Sequence, residues 1–205
     1  MKGCLNLTRD ALYRQGNNVI EILDGPALNK CNVTAVVMAW AAVTPIFDNW
    51  KNPFGGHYRG WQPEDMVDLY FHEEKNWPHF QETRALPLCH EQPHDGKWPP
   101  EQIPQYHQLA LREIFGLGAD FGFGANFAAV ATWVSSGSAV ILRVKKPGHF
   151  ITAVCYDENK MLIGFRDPAP IAWLQSTENV DGIKWMGTTD YKDNIHDDYT
   201  RGWRV

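Results

Sequence analysis

A chain of 205 residues with 44% hydrophobic content can bury its own core without disulfides or metals, and its length reads as one domain spanning 1–205. The formal charge is −5, and the 19 Lys and Arg are scattered with no basic stripe, which excludes the electrostatic footprint of a nucleic-acid binder. No apolar run reaches the ~18 residues of a spanning helix, and the start "MKGCLNLTRD" lacks the apolar centre of a secretory signal. Neither a membrane nor standard secretion is therefore expected. The nine Trp and 13% aromatics are high for the size and point to a bulky core or to aromatic-lined surfaces.

In chain order, residues 1–28 read as irregular, with a short strand in "NNVIEIL" and a turn at Asp24-Gly25-Pro26. The stretch "NKCNVTAVVMAWAAVTP" predicts a helix from Cys31 or Asn32 to about Val43. It is apolar on every side, so it belongs at the centre of the domain, and Thr44-Pro45 ends it. Residues 46–104 form an insertion rich in Pro, Gly, Trp and His, with one short helix in "QPEDMVDLYFHEE" that opens on Pro63. A helix over 104–115 follows from Tyr106, Leu109, Ala110 and Ile114, with Gly116 at its end. After the glycine-spaced "GLGADFGFG" comes a helix in "NFAAVATWVSSG", capped by Asn126 and closed by Gly137. "SAVILRV" reads as a buried strand, and "GHFITAVCYD" with "KMLIGFRDP" as a hairpin turning at Asp157-Glu158-Asn159. "DGIKWMG" supplies one more strand before a polar tail. The order predicts an α+β fold, a buried central helix carrying Cys31 packed on an antiparallel sheet.

The hairpin is where the chemistry gathers. His149 and Asp167 are centred on residue 158, inside the predicted turn. Symmetric antiparallel pairing would set them opposite each other, on one sheet face with Ile151, Ile163, Phe165 and Cys155. A carboxylate against an imidazole fixes its tautomer and supports its charged form. Cys31 opens a helix, where unpaired backbone N–H groups favour an anion, and an imidazolium beside a thiol favours the thiolate that acts as nucleophile. A single cysteine is most often core and a single strand histidine most often structural. The three together read as nucleophile, base and orienting acid.

"NKCNVTAVVMAW" followed by "PGHFITAVCYDENKMLIGFRDP" resembles the papain-like cysteine peptidases, above all the branch that processes bacteriocin leaders and its phage and bacterial relatives. That branch has a Cys-Asn-Val-Thr or Cys-Gly-Pro-Thr opening on its central helix, a Gly-His strand and an Asp-Pro closing the next strand. The resemblance spans about 31–43 and 104–170. It implies Cys31 as nucleophile, His149 as general base and then acid, and Asp167 as orienting carboxylate, with no cofactor or metal. The implied substrate is a peptide, a peptidoglycan-like cross-bridge or a phage or bacterial protein. The implied setting is a host or bacterial cytoplasm or a virion. The family's oxyanion-stabilising glutamine lies upstream of the cysteine, often in Gln-Arg-Asp. Here "LTRD" places Thr8 at that point, and Gln15 or a nearby Asn is the alternative donor beside the Cys31 backbone N–H. That departure and the insertion support a second reading, a papain-like binding or virion-structural module with a weakened site.

Within the insertion, Trp61 and Trp98 are the expected substrate-binding aromatics, with glycan binding or a satellite hydrophobic cluster as the other readings. Cys89, His90 and His94 have metal-ligand chemistry, but Pro87 and Pro93 argue against the helix that the His spacing would need. Cys4, Cys31, Cys89 and Cys155 contain no C-x-x-C pair and are expected to be free thiols. Asn32-Val33-Thr34 fits a glycosylation sequon by coincidence, since it falls at a helix start.

Overall fold

A computed structural model describes residues 2–5, 31–44, 103–145, 149–169, 182–195 and 201–205. The expected strand at 17–23 and the whole insertion up to residue 102, with its helix, lie outside the described residues. The elements are β1 (Lys2–Cys4), α1 (Cys31–Val43), α2 (Ile103–Phe115), β2 (Asp120–Phe123) and α3 (Phe127–Ser135). They continue with β3 (Val140–Val144), β4 (His149–Asp157), β5 (Leu162–Arg166), β6 (Lys184–Gly187), α4 (Thr188–Asn194) and β7 (Arg201–Arg204). The predicted helices at 31–43, 104–115 and 126–137 and the strands at 138–144, 148–157, 160–168 and 181–187 all have counterparts. The chain mixes helices with an antiparallel sheet.

Among the described residues the sheet has seven strands in the order β2-β7-β3-β4-β5-β6, with β1 paired to β4. Every pair is antiparallel. β4 is the spine. It pairs with β3 along 149–153, with β5 along 152–157, and with β1 along 155–157 where β3 has ended. β7, from the tail read as polar, inserts between β2 and β3, so the chain end closes the sheet that its middle began.

Each face of the sheet carries helices. On one, α1 lies against Ile141, Phe150, Val154 and Cys155, with α2 packed behind it. Residues Thr34 to Ala42 are all buried, as a helix without a polar side requires. Trp40 stacks on Phe115 of α2 with ring centres 4.5 Å apart. Helix α2 ends on Gly116, whose φ of +65° admits glycine readily, and the Leu117 N–H returns to the Leu111 carbonyl at 3.0 Å. On the other face α3 and α4 cover Val140, Leu142, Ile151, Ala153, Ile163, Phe165 and Met186. The predicted cap of α3 is present: the Asn126 side chain accepts from the Ala129 N–H at 2.9 Å. None of the described helices is long and apolar enough to cross a membrane.

Two expectations about the hairpin are corrected. The turn occupies 158–161, with Met161 at φ 53°, and a β-bulge separates Ala153 from Cys155. Ala153 stands opposite Phe165 and Thr152 opposite Arg166, which sets Asp167 level with Ile151, two residues along from His149. The bulge also reverses the alternation, so Cys155 leaves the face of Ile151 and Ala153 and joins the α1 face. There it is bonded to Cys4 in a disulfide that clasps β1 to β4, so these two thiols are not free as the sequence reading expected. Sequence spacing could not pair them, because only the sheet brings residue 4 beside residue 155.

Candidate active site

The three residues singled out in the sequence converge at the end of the sheet where β4 begins. Helix α1 is held in place by its apolar burial and by a polar tie to the sheet: the Thr152 hydroxyl donates to the Ala35 carbonyl at 3.0 Å. That bond joins the helix, one turn beyond Cys31, to β4 three residues beyond His149. Cys31 is the first residue of α1, is half-buried, and is the free cysteine among the described residues. Its sulfur lies close enough to the His149 ring to favour the ring's charged form.

His149 and Asp167 are not directly opposite each other but diagonal on one face, within reach of long side chains. Nε2–H of His149 donates to Oδ1 of Asp167 at 2.6 Å. With Nε2 committed to the carboxylate, Nδ1 is the nitrogen left for the sulfur. Only 3% of His149 and 1% of Asp167 are exposed. Burial alone would drive both toward their neutral forms. In His149 burial opposes the charge, yet hydrogen bonds to Asp167 and Cys31 and the charges of both outweigh it, and the pKa is raised from 6.5 to about 9. In Asp167 burial likewise works against ionisation, but the His149 hydrogen bond and charge, followed by Lys184, hold the carboxyl below its ordinary value.

The Asp167 carboxylate is satisfied on both oxygens. Oδ1 also accepts from the Ala169 N–H at 3.0 Å, an Asx turn closed across Pro168. Oδ2 accepts from Nζ of Lys184 at 3.0 Å. Lys184 comes from β6, where it stands opposite Phe165 and so shares the face of the histidine and the acid. The sequence reading missed this residue. Its signal was a lone cation in the inward register of an otherwise apolar strand, between Ile183 and Trp185.

The other sequence candidates are not brought to this site by the described residues. Thr8 and Gln15, the expected oxyanion donors, lie outside them, as do Trp61, Trp98, Cys89, His90 and His94. Among the described residues no group of three or more His, Cys, Asp or Glu is gathered as a metal site would require. An open cleft of about 480 Å³ lies elsewhere, between α3 and the β4–β5 hairpin, lined by Phe127, Ala131, Tyr156 and Met161 among others.

Chemically, the arrangement offers a half-buried sulfur at a helix start, a ring that can carry charge beside it, and a buried acid that fixes the ring. These are the parts of an activated nucleophile with a proton shuttle. No protein-family model matches the chain, and no curated protein matches it in sequence.

Proposed function

We propose that this protein is a thiol hydrolase of papain-like type that cleaves peptide or isopeptide bonds through Cys31, His149 and Asp167. The observation that carries the reading is one buried imidazole bonded to Asp167 at 2.6 Å and close enough to the Cys31 sulfur for the two to support the ring's charge together. A structural histidine needs one satisfied partner, and a core cysteine needs none. The combination of a helix-start thiol, a strand histidine and an acid on the neighbouring strand has the order and roles of an acyl-transfer site.

In this mechanism the sulfur gives its proton to Nδ1 of His149 and attacks the scissile carbonyl carbon, forming a C–S bond and a tetrahedral oxyanion. The Cys31 backbone N–H, at a helix start, is one donor to that oxyanion. As the C–N bond breaks, the imidazolium protonates the departing amine, leaving a thioester. His149 then takes a proton from water, hydroxide attacks the thioester, and the thiol is regenerated. Asp167 stays ionised throughout, keeping the ring in one orientation and supporting its charge. Peptidoglycan peptides are the proposed substrate class, with a protein partner as the alternative.

Two measurements test this. Cys31 should alkylate with iodoacetamide much faster than Cys89 near pH 6, and His149→Ala should remove the difference. Purified cell walls should lose turbidity with the intact chain and not with Cys31→Ala, and His149→Ala should slow that loss at least about a hundredfold. Equal, slow labelling of Cys31 and Cys89 would sink the enzyme and leave the binding or virion-structural module. Fast labelling of Cys31 without wall lysis would direct the search to protein substrates.

A further inference from the structure

The charge pattern around Asp167 assigns a role to Lys184, an inference that rests on the thiol-hydrolase reading of the same site. The carboxylate faces two cationic partners: His149 on Oδ1 and Lys184 on Oδ2, the lysine side chain being 8% exposed and the acid's 0%. One buried negative charge therefore serves two elements, β4 and β6. We propose that the Lys184 ammonium neutralises Asp167, so that an imidazolium at His149 is balanced by a thiolate at Cys31 and not by the carboxylate.

His149, Asp167 and Lys184 are buried and the Cys31 sulfur is half-buried, so uncompensated charge among them is costly and can be counted. With Lys184 charged and Asp167 ionised, the pair sums to zero. A neutral imidazole beside a thiol keeps that sum, and so does an imidazolium beside a thiolate. An imidazolium beside a protonated thiol leaves one uncompensated positive charge, which burial penalises heavily. Remove the lysine charge and the preference reverses. Asp167 and the imidazolium are then neutral together, and forming the thiolate creates the uncompensated charge. Lys184 thus lowers the pH at which the imidazolium and thiol together give up a proton, while its hydrogen bond sets the rotation of the carboxylate and leaves Oδ1 for His149. The ionisable groups at this end of the sheet, among the described residues, are Cys31 from α1, His149 from β4, Asp167 after β5 and Lys184 from β6. Arg166 is adjacent in sequence but pairs in register with Thr152, whose hydroxyl is bonded to α1, and His107 of α2 packs edge-on against Phe150. Alternation places these two on the face that α1 covers, and their charges are common to the parent and every variant. Lys184 is in this sense a positioning residue that acts through Asp167.

The test is the pH profile of Cys31 alkylation by iodoacetamide, resolved by peptide mass spectrometry, in the full chain and three variants. Lys184→Gln keeps a hydrogen-bond donor and removes the charge, Lys184→Met fills the stem's volume and removes both, and Lys184→Arg keeps the charge. Both neutral variants should move the acid limb to higher pH, with labelling at about pH 5.5 slowed about tenfold and the plateau unchanged. The arginine variant should stay within about twofold of the parent, since it retains the charge. A Lys184→Gln profile that superimposes on the parent overturns the proposal, as does an equal shift in Lys184→Arg. Should Lys184→Gln not fold, Lys184→Met carries the same expectation. Unfolding of both neutral variants beside a folded arginine variant would reduce Lys184 to a structural ion and overturn it too. A parent chain in which Cys31 labels no faster than Cys89 removes the enzyme reading as well, an outcome distinct from a normal parent profile indifferent to Lys184.

Discussion

Replacing His149 by Gln removes the imidazole while leaving an N–H donor for Asp167, and its effect on stability should depend on pH in a direction set by the site. The ring's pKa rises from 6.5 to about 9 in the folded chain. A group that binds its proton more tightly when folded adds stability in full below 6.5 and loses it as pH rises through about 9. The difference of about 2.5 units corresponds to about 3 kcal/mol at ~1.36 kcal/mol per unit. Solvent screening takes little from this figure, because only 3% of the residue is exposed. For a chain of this size it amounts to about 6–12 °C in melting temperature. Thermal unfolding followed by circular dichroism, for parent and His149→Gln at pH 6 and pH 10, reads the contribution of the ring together with the response of Cys31 and Asp167, which lose it as a charged partner. The parent's advantage should shrink by that amount between the two pH values. An advantage that stays constant over this range would mean that the fold does not favour the charged ring, and the account of the site would fail with it. Asp167 works with the opposite sign. Its contribution is present above the ordinary carboxylate value of 3.8 and disappears as pH falls through its depressed value, so the acid side of the stability profile reports the carboxylate.

Two further outcomes follow from the packing around the site. The Cys4–Cys155 bond joins residues 151 apart in sequence; losing such a cross-link should cost about 3–5 kcal/mol. Cys4→Ser should unfold at lower denaturant than the parent without reductant and show no further drop when reductant is added, and equal midpoints in oxidising buffer would contradict the bond. At Gly164 an added Cβ would sit 2.7 Å from Cβ of Cys155, 2.9 Å from Cγ2 of Ile183 and 3.0 Å from Cζ3 of Trp185. Gly164→Ala should therefore destabilise by about 1–3 kcal/mol. A denaturation midpoint equal to the parent's would show that the three neighbours yield freely.

Much of the secondary structure was legible because local rules decide it. Helix α1 has no polar side, so its burial is written in its composition. Asn126 and Gly116 mark helix ends through their own backbone and side-chain chemistry. Elements whose identity depends on neighbours were not legible. "DFGF" is too short and too glycine-rich to mark a strand and the polar "RGWR" lacks alternation, yet they become β2 and β7 by pairing with each other, and β7 also pairs with β3. Lys2–Cys4 becomes β1 because β4 offers it an edge. The short α4 after β6 was likewise not foreseen, its seven residues being too few to show a period.

At the candidate site the division is sharper. Residue chemistry and strand parity placed His149 and Asp167 on one face, because the true register differs from the symmetric one by two residues and so keeps the parity. Register itself was not legible, since a bulge between Ala153 and Cys155 shifts one strand against the other and no local signal announces it. The sequence by itself therefore determined a buried helix opening on Cys31 and a hairpin holding a histidine and an acid. Only the tertiary structure decided that the sulfur reaches the ring, that Cys155 turns away to meet Cys4, and that Lys184 shares the carboxylate. Each of these joins residues far apart along the chain, and such contacts are set by how whole elements pack.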